Sequence, residues 1–264
     1  MQFEYQSKVF DIEGVSEDDL IYRRIAKSGT FYEIDLLEYM REVKPFMPST
    51  NGESVAIDVG ANIGNHSVFL YSFITNHLIA IEPNPNVLPV LRRNLSTNTD
   101  GYTLCEVAVG ETKSKGSIAV PDDMGDNIGA AKVDLQNSDG DIEISTLDSV
   151  FSSWQKNESD SIPVSLIKID VEGMEAPALK GAKDLILKYK PHIFAEAATE
   201  DELQKILDLL QPLGYQKLPG KWATTPVYHF VHNPSSELLA TCNRMRLRRR
   251  IKKTKRRLTR LFKK

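Results

Sequence analysis

Six short, nearly continuous apolar runs alternate with helix-patterned segments along most of this 264-residue chain. The runs are 54–59 (SVAIDV), 77–81 (HLIAI), 102–109 (YTLCEVAV), 164–169 (VSLIKI), 192–197 (HIFAEA) and 226–232 (PVYHFVH). Helical spacing follows over about 65–74, 85–96, 175–189 and 200–211. A strand that is apolar on both faces must be covered on both, and strands joined by helices run parallel. The pattern therefore predicts an α/β fold: a doubly wound, mostly parallel sheet.

Two regions depart from this rhythm. Residues 1–50 read as an N-terminal helical appendage, with helices at Asp19–Ile25 and Glu33–Val43 separated by Ser28-Gly29. Residues 110–160 are rich in Gly, Ser, Asp and Asn. They read as a hairpin insertion (115–120 and 141–145), a short helix from Leu147 to Trp154, and a surface loop at 155–162. The expected division is 1–50, a ligand-binding domain over 51–236, and a tail over 237–264.

Charge separates the tail from the rest. The chain carries 33 Lys+Arg and 36 Asp+Glu, yet residues 244–264 hold 13 basic residues and no acid. Residues 1–243 hold 20 basic and 36 acidic residues, a net of −16. Such a split calls for an anionic partner at the tail. No apolar window approaches a membrane span, and the N-terminus has no basic and apolar leader pattern. Two cysteines, Cys105 and Cys242, make no disulfide framework. A cytoplasmic protein is expected, peripheral at a membrane if the tail binds one.

The most informative local pattern is Val55-Ala-Ile-Asp58-Val-Gly60-Ala-Asn62-Ile-Gly64-Asn65. An apolar strand ends in an acid, and a glycine turn leads into a helix. Ligands of doubly wound sheets bind outside the carboxyl ends of the strands. The G-x-x-x-G spacing is neither the dinucleotide fingerprint nor a phosphate loop with Gly-Lys-Ser/Thr. That leaves a nucleoside ligand without a phosphate chain, with Asp58 accepting from an amine or hydroxyl; the alternative is a tight turn without a ligand. The next strand ends in Glu82, 24 residues on. An acid there can take both ribose hydroxyls, although before Pro83 and Pro85 it also suits a helix N-terminus. Asp58-x-Gly60 and Glu82 together favour a donor site for S-adenosylmethionine.

The chain resembles the FkbM-type S-adenosylmethionine-dependent methyltransferases. The matching residues are Asp58 to Gly64; Ile81-Glu82-Pro83-Asn84-Pro85 with Leu91 and Asn94; Asn127-Ile-Gly129; Thr146-Leu-Asp148; Ile167-Lys-Ile-Asp-Val-Glu-Gly173-Met-Glu175; Leu179-Lys-Gly181; and Pro191 to Glu196. Gly29-Thr-Phe-Tyr-Glu33 resembles that family's lead-in, and the resemblance spans about residues 28–232. It implies the class I, Rossmann-like methyltransferase fold.

Methyl transfer from a sulfonium needs an aligned nucleophile and exclusion of water. A hydroxyl acceptor also needs a general base or a metal. Asp170 and Glu172 follow the fourth strand, and strand alternation would place them on one side. Glu196 ends the fifth strand on the same rim. These three are the expected catalytic carboxylates: one for the donor's amino group, one as base. Two together suit Mg²⁺, but no metal is assigned, and each also reads as a helix cap.

Asn62 and Asn65 are expected to orient the donor carboxylate or cap the helix. Pro83 and Asn84 complete the donor site, and Tyr32 and Glu33 are expected to fold over it. Asn127 is assigned to the acceptor pocket because loops on a rigid scaffold carry specificity. Lys168 reads as a strand residue beside an acid, His66 as a packed or solvated histidine with a base role as the alternative, and His229 with His232 as no metal pair. Asp170-Val-Glu-Gly lacks the prolines and stacking aromatic of base-amine methyltransferases. A hydroxyl on a sugar of a glycan or glycolipid is the expected acceptor. RNA methylation directed by the tail, or nucleoside binding without catalysis, are the rivals.

In the tail, Leu247, Ile251, Leu258 and Phe262 recur at helical spacing among basic residues, with Leu261 alongside. This is the pattern of a cationic helix lying in an anionic membrane interface. Nucleic acid is the second candidate, weakened by a single aromatic, Phe262; a solvated, partly disordered tail without a partner is the alternative to both.

Overall fold

The computed structural model describes residues 1–119, 132–134, 140–158 and 161–261. Its centre is a seven-stranded sheet in the order β12-β13-β11-β10-β3-β4-β5. The strands are β3 (Val55–Val59), β4 (His77–Ile81), β5 (Tyr102–Cys105), β10 (Val164–Ile169), β11 (His192–Glu196), β12 (Tyr215–Lys217) and β13 (Val227–His232). The five from β5 to β11 are parallel, and β13 and β12 close the edge antiparallel. After β3 the chain steps outward through β4 and β5, then returns to place β10 on the other side of β3. Strand order therefore reverses between β3 and β10, and a doubly wound sheet opens a crevice at that point.

Alternation in β3 and β10 sorts the two faces. Val55, Ile57, Val59, Ile167 and Ile169 enter one core with α5 (Leu147–Gln155), α6 (Glu175–Lys180), α7 (Lys183–Tyr189) and α8 (Glu200–Leu210). Ala56 and Leu166 enter the other, with α1 (Leu20–Ser28), α2 (Ile34–Val43), α3 (Asn65–Phe73) and α4 (Leu88–Asn98). On that second face Asp58 and Lys168 sit side by side in register.

Residues 1–50 are not helical throughout. A hairpin, β1 (Gln2–Tyr5) and β2 (Lys8–Asp11), precedes the two helices. Its turn residues Gln6 and Ser7 both take positive φ, 52° and 61°. That conformation is usually announced by Asn-Gly, and its absence hid the hairpin. Phe3 and Phe10 pack on Phe31 at 4.9 and 4.8 Å, and Phe31 packs on Phe69 of α3 at 5.3 Å. Asn94 of α4 fastens the following segment: its amide donates to Glu13 and Ile63 carbonyls and its Oδ1 accepts from Glu13 N–H.

Two runs break where none was expected, and one strand was not foreseen. The run 102–109 breaks after Cys105, and β6 (Ala108–Val109) joins a small sheet with β7 (Ser114–Ala119), β8 (Lys132–Asp134) and β9 (Ile142–Ser145). The run 175–189 breaks at Gly181, where an added Cβ would lie 2.1 Å from the Gly110 carbonyl oxygen. The three residues of β12 are too short to announce themselves.

Helix α9 (Ser236–Leu261) runs well into the basic segment. It is anchored through a buried polar chain. Tyr39 Oη contacts Cys242 Sγ at 3.0 Å and His229 Nδ1 at 2.8 Å, and His229 Nε2 lies 3.1 Å from His192 Nδ1. Trp222 stacks on Tyr39 at 3.9 Å. Burial pushes the His229 pKa well down and that of His192 to about 4, so both rings are neutral and serve packing. Among the described residues no helix is long and apolar enough to cross a membrane.

Candidate active site

A cleft opens over the carboxyl ends of β3, β4 and β10. Of the expected residues, Tyr32, Gly60, Asn62, Asn65, Glu82, Pro83, Asn84, Asp170 and Glu172 line it. His66 and Lys168 join them, with apolar walls from Ile21, Val87 and Ile118. Asn127 lies outside the described residues.

The glycine turn sets the floor. Gly60 has φ +77°, and an added Cβ would lie 1.9 Å from the Asp170 carbonyl oxygen. Glycine is required here because β10 ends against the turn, which brings Asp170 to the cleft. Gly64, also expected at the donor, lies away from the cleft. Its positive φ starts α3, and its Cβ position is 2.9 Å from Leu91 on α4.

Glu82 is buried at the end of β4. Its Oε2 accepts from Asn62 N–H at 2.9 Å and its Oε1 from Asn84 N–H at 3.0 Å. Burial raises its pKa, opposed by those two N–H groups. Each carboxylate oxygen has two acceptor sites, so capacity remains for a diol in the cleft. Asn62 takes φ +49° and turns its own Oδ1 onto Ile63 N–H.

Asn65 does not present a free amide to a ligand carboxylate. Its Oδ1 accepts from Tyr32 N–H at 2.9 Å and its Nδ2 donates to the Tyr32 carbonyl at 3.1 Å. It thereby pins residue 32 over the cleft. Glu33 follows in left-handed conformation and accepts from Thr224 N–H at 3.0 Å. It stands behind His66, with 3.6 Å between Glu33 Oε2 and His66 Nε2. Burial and Asp170 raise the Glu33 pKa, and burial lowers that of His66 to about 3. The His66 Nε2 is buried without a hydrogen-bond partner at the cleft wall.

Asp58 does not reach the cleft. It is fully buried, accepts from Ser67 Oγ at 2.6 Å, and pairs with Lys168 Nζ at 3.3 Å. Lys168 also pairs with Asp170 at 3.3 Å and donates to the Gly60 carbonyl. Burial opposes its charge, but the two aspartates outweigh burial and raise its pKa. Asp58 instead meets Lys168, its neighbour across β3 and β10 and 110 residues away in sequence.

The expected carboxylates gather, though not by strand alternation. β10 ends at Ile169, and Asp170 to Gly173 form a turn with Glu172 at φ +48°. Glu175 ties that turn by accepting from Val171 and Gly173 N–H. Asp170 and Glu196 hydrogen-bond to each other. Burial and the Asp170 charge push the Glu196 pKa up to about 9. Burial works against ionisation of Asp170, but Lys168, His66 and the Glu196 bond prevail and hold it below the ordinary value. The pair therefore shares one proton near neutrality. Thr146 and Asp148, also part of the resemblance, are caps: Thr146 for α5, Asp148 for the start of α7. Among the described residues no group of three His, Cys, Asp or Glu side chains is placed to hold a metal.

This sheet order, with the cleft over its reversal point, is that of the class I, Rossmann-like methyltransferases. A family model for the methyltransferase FkbM domain matches residues 58–217. The chain belongs to the FkbM methyltransferase family.

Solved structures similar to it include an FkbM methyltransferase from Methylobacillus flagellatus KT, 22% identical with a TM-score of 0.46. That match covers 68% of this chain and 44% of the other, so the chain spans under half of that protein's length. A precorrin-6y C5,15-methyltransferase from Geobacter metallireducens GS-15 is 16% identical (TM-score 0.45; 86% and 94% covered). An rRNA methylase from Streptococcus thermophilus is 12% identical (TM-score 0.42; 74% and 91% covered). No curated protein matches the chain.

Proposed function

We propose that the protein transfers the methyl group of S-adenosylmethionine to a hydroxyl, on a sugar of a glycan or glycolipid. The observation that carries this reading is the placement of Asp170 and Glu172 on the cleft wall over the strand reversal, opposite Glu82, with Glu196 behind Asp170. An alcohol is a weak nucleophile and needs a base as its oxygen attacks. The donor supplies an electrophilic methyl on a positively charged sulfur. Glu82 would hold the ribose, the turn Gly60–Asn62 would pass beneath the donor, and Tyr32, pinned by Asn65, would exclude water. The His66 Nε2, buried and without a hydrogen bond among the described residues, stands at the cleft wall beside Glu33.

Asp170 lines the cleft and takes the acceptor's proton as the oxygen–carbon bond forms and the sulfur–carbon bond breaks. Glu196, behind it, is a positioning residue that sets how basic the pair is. A rim of Asp170 and Glu172, backed by Glu33 and Glu196, offers acceptors to sugar hydroxyls. The same rim repels phosphates, which disfavours a nucleic-acid acceptor.

The experiment is calorimetric titration with S-adenosylmethionine, followed by turnover with glycan and glycolipid acceptors. Glu82→Ala removes two charge-assisted acceptors and should weaken donor binding by about 1.5–3 kcal/mol, more than tenfold. Unchanged affinity would overturn the ribose assignment. Turnover on nucleic acid alone would overturn the acceptor class.

A further inference from the structure

Helix α9 has two faces, and among the described residues only one packs against the fold. Leu238, Thr241 and Cys242 are buried, Met245 packs against the core, and Arg249 and Lys252 reach Asp35 of α2 at 3.7 and 2.9 Å. At 100° per residue these positions share one stripe of the helix. Leu247 and Ile251 stand diametrically opposite, and they are 59% and 48% exposed. Exposed large apolar side chains are few among the described residues, and two of them sit here one turn apart. The basic residues Arg244, Arg248 and Arg250, all exposed, border this stripe on its two sides. The spacing of the sequence continues with Leu258.

Along one flank of α9 runs a groove walled by Lys217, Lys221, Arg246, Arg249 and Arg250, with Tyr228 at its base. Among the described residues no acidic one lines it. Arg249 crosses over the Trp222 ring at 5.2 Å and donates to the Lys221 carbonyl at 2.6 Å, so the groove is built onto the sheet edge.

We propose that α9 is a docking face for an anionic lipid bilayer. Leu247 and Ile251 enter the interface, the flanking arginines meet lipid phosphates, and the groove holds a headgroup phosphate. The anchored stripe fixes the helix so that its apolar side faces outward, which a free cationic tail would not achieve. Charge complementarity selects an anionic surface. The apolar stripe selects a bilayer over a nucleic acid, because Leu and Ile add nothing to phosphate contacts and no aromatic lies between Arg244 and Leu261 for base stacking. A second copy of the chain is disfavoured, since two such faces would bring like charges together. The proposal is independent of which acceptor is methylated.

The test is co-sedimentation of the full chain with vesicles of phosphatidylcholine alone and with about one-third phosphatidylglycerol. Affinity should be at least tenfold higher on the anionic vesicles and fall steeply with salt. The double variant Leu247→Glu, Ile251→Glu changes exposed positions only. It should keep the thermal midpoint and donor affinity of the parent while losing about tenfold or more in vesicle affinity. Equal binding to both vesicle types, or no effect of the double variant, would overturn the proposal. So would a single-stranded RNA that binds more tightly than anionic vesicles and ignores the double variant.

Discussion

Replacing Lys168 with methionine is expected to destabilise the protein by about 3–5 kcal/mol, the usual consequence of removing one partner from a buried ion cluster. For a chain of this size that corresponds to a fall in melting temperature of about 6–20 °C. Asp58 is fully buried, with Ser67 Oγ as its remaining hydrogen-bond partner, and Asp170 would lose the cation that keeps it ionised. The lysine pKa is raised above its ordinary value of 10.5 in the folded state. Its stabilisation is therefore complete at neutral pH and is lost only as pH rises above that value toward the folded one. Lys168→Met combined with Asp58→Asn should recover a large part of the loss, because the uncompensated charge is gone and the amide oxygen can still accept from Ser67. A melting temperature within 2 °C or so of the parent for Lys168→Met alone would contradict the cluster's role.

Asp170→Asn is expected to reduce kcat by about 10²–10⁴-fold, the range for loss of a positioned base. The pH profile separates this from mere loss of shape. The Glu196 pKa stands at about 9, so the doubly ionised and more basic form of the pair grows as pH rises toward that value. The parent's kcat should rise with pH across that range. Glu196→Gln leaves Asp170 in the cleft but cannot release the shared proton, so this rising limb should disappear with a smaller loss at pH 7. Donor affinity should stay within a few-fold of the parent for Glu196→Gln. A profile unchanged by Glu196→Gln would remove the pair from the chemistry.

Much of the cleft lining was legible from local pattern. Glu82 closes an apolar run before two prolines, and Gly60 follows another. Both stand at the cleft because a parallel strand delivers whatever follows it to the same edge of the sheet. The hairpin at 2–11 was illegible because Gln6 and Ser7 adopt a turn that their side chains do not advertise. Asn65 was expected to orient the donor carboxylate or cap the helix; its amide makes two bonds to the Tyr32 backbone, a partner 33 residues upstream. Asp58 looked like a ligand acid for the same reason that Glu82 did: each ends a strand. What separates them is the neighbour, Lys168 for one and two backbone N–H groups for the other.

Periodicity, strand-end acids and glycine spacing depend on residues close in sequence, so the fold class, the cleft edge of the sheet and the family resemblance could be read before any coordinates. Lateral strand order does not depend on sequence distance, and it placed β10 beside β3. That placement made Lys168 the partner of Asp58 and let Gly60 receive the Asp170 carbonyl. Beside β10 on its other side, β11 brought Glu196 within a hydrogen bond of Asp170. The basicity of the pair and the outward face of α9 were likewise settled by burial and neighbours. Those are properties of surroundings assembled from distant segments, and no spacing along the chain encodes them.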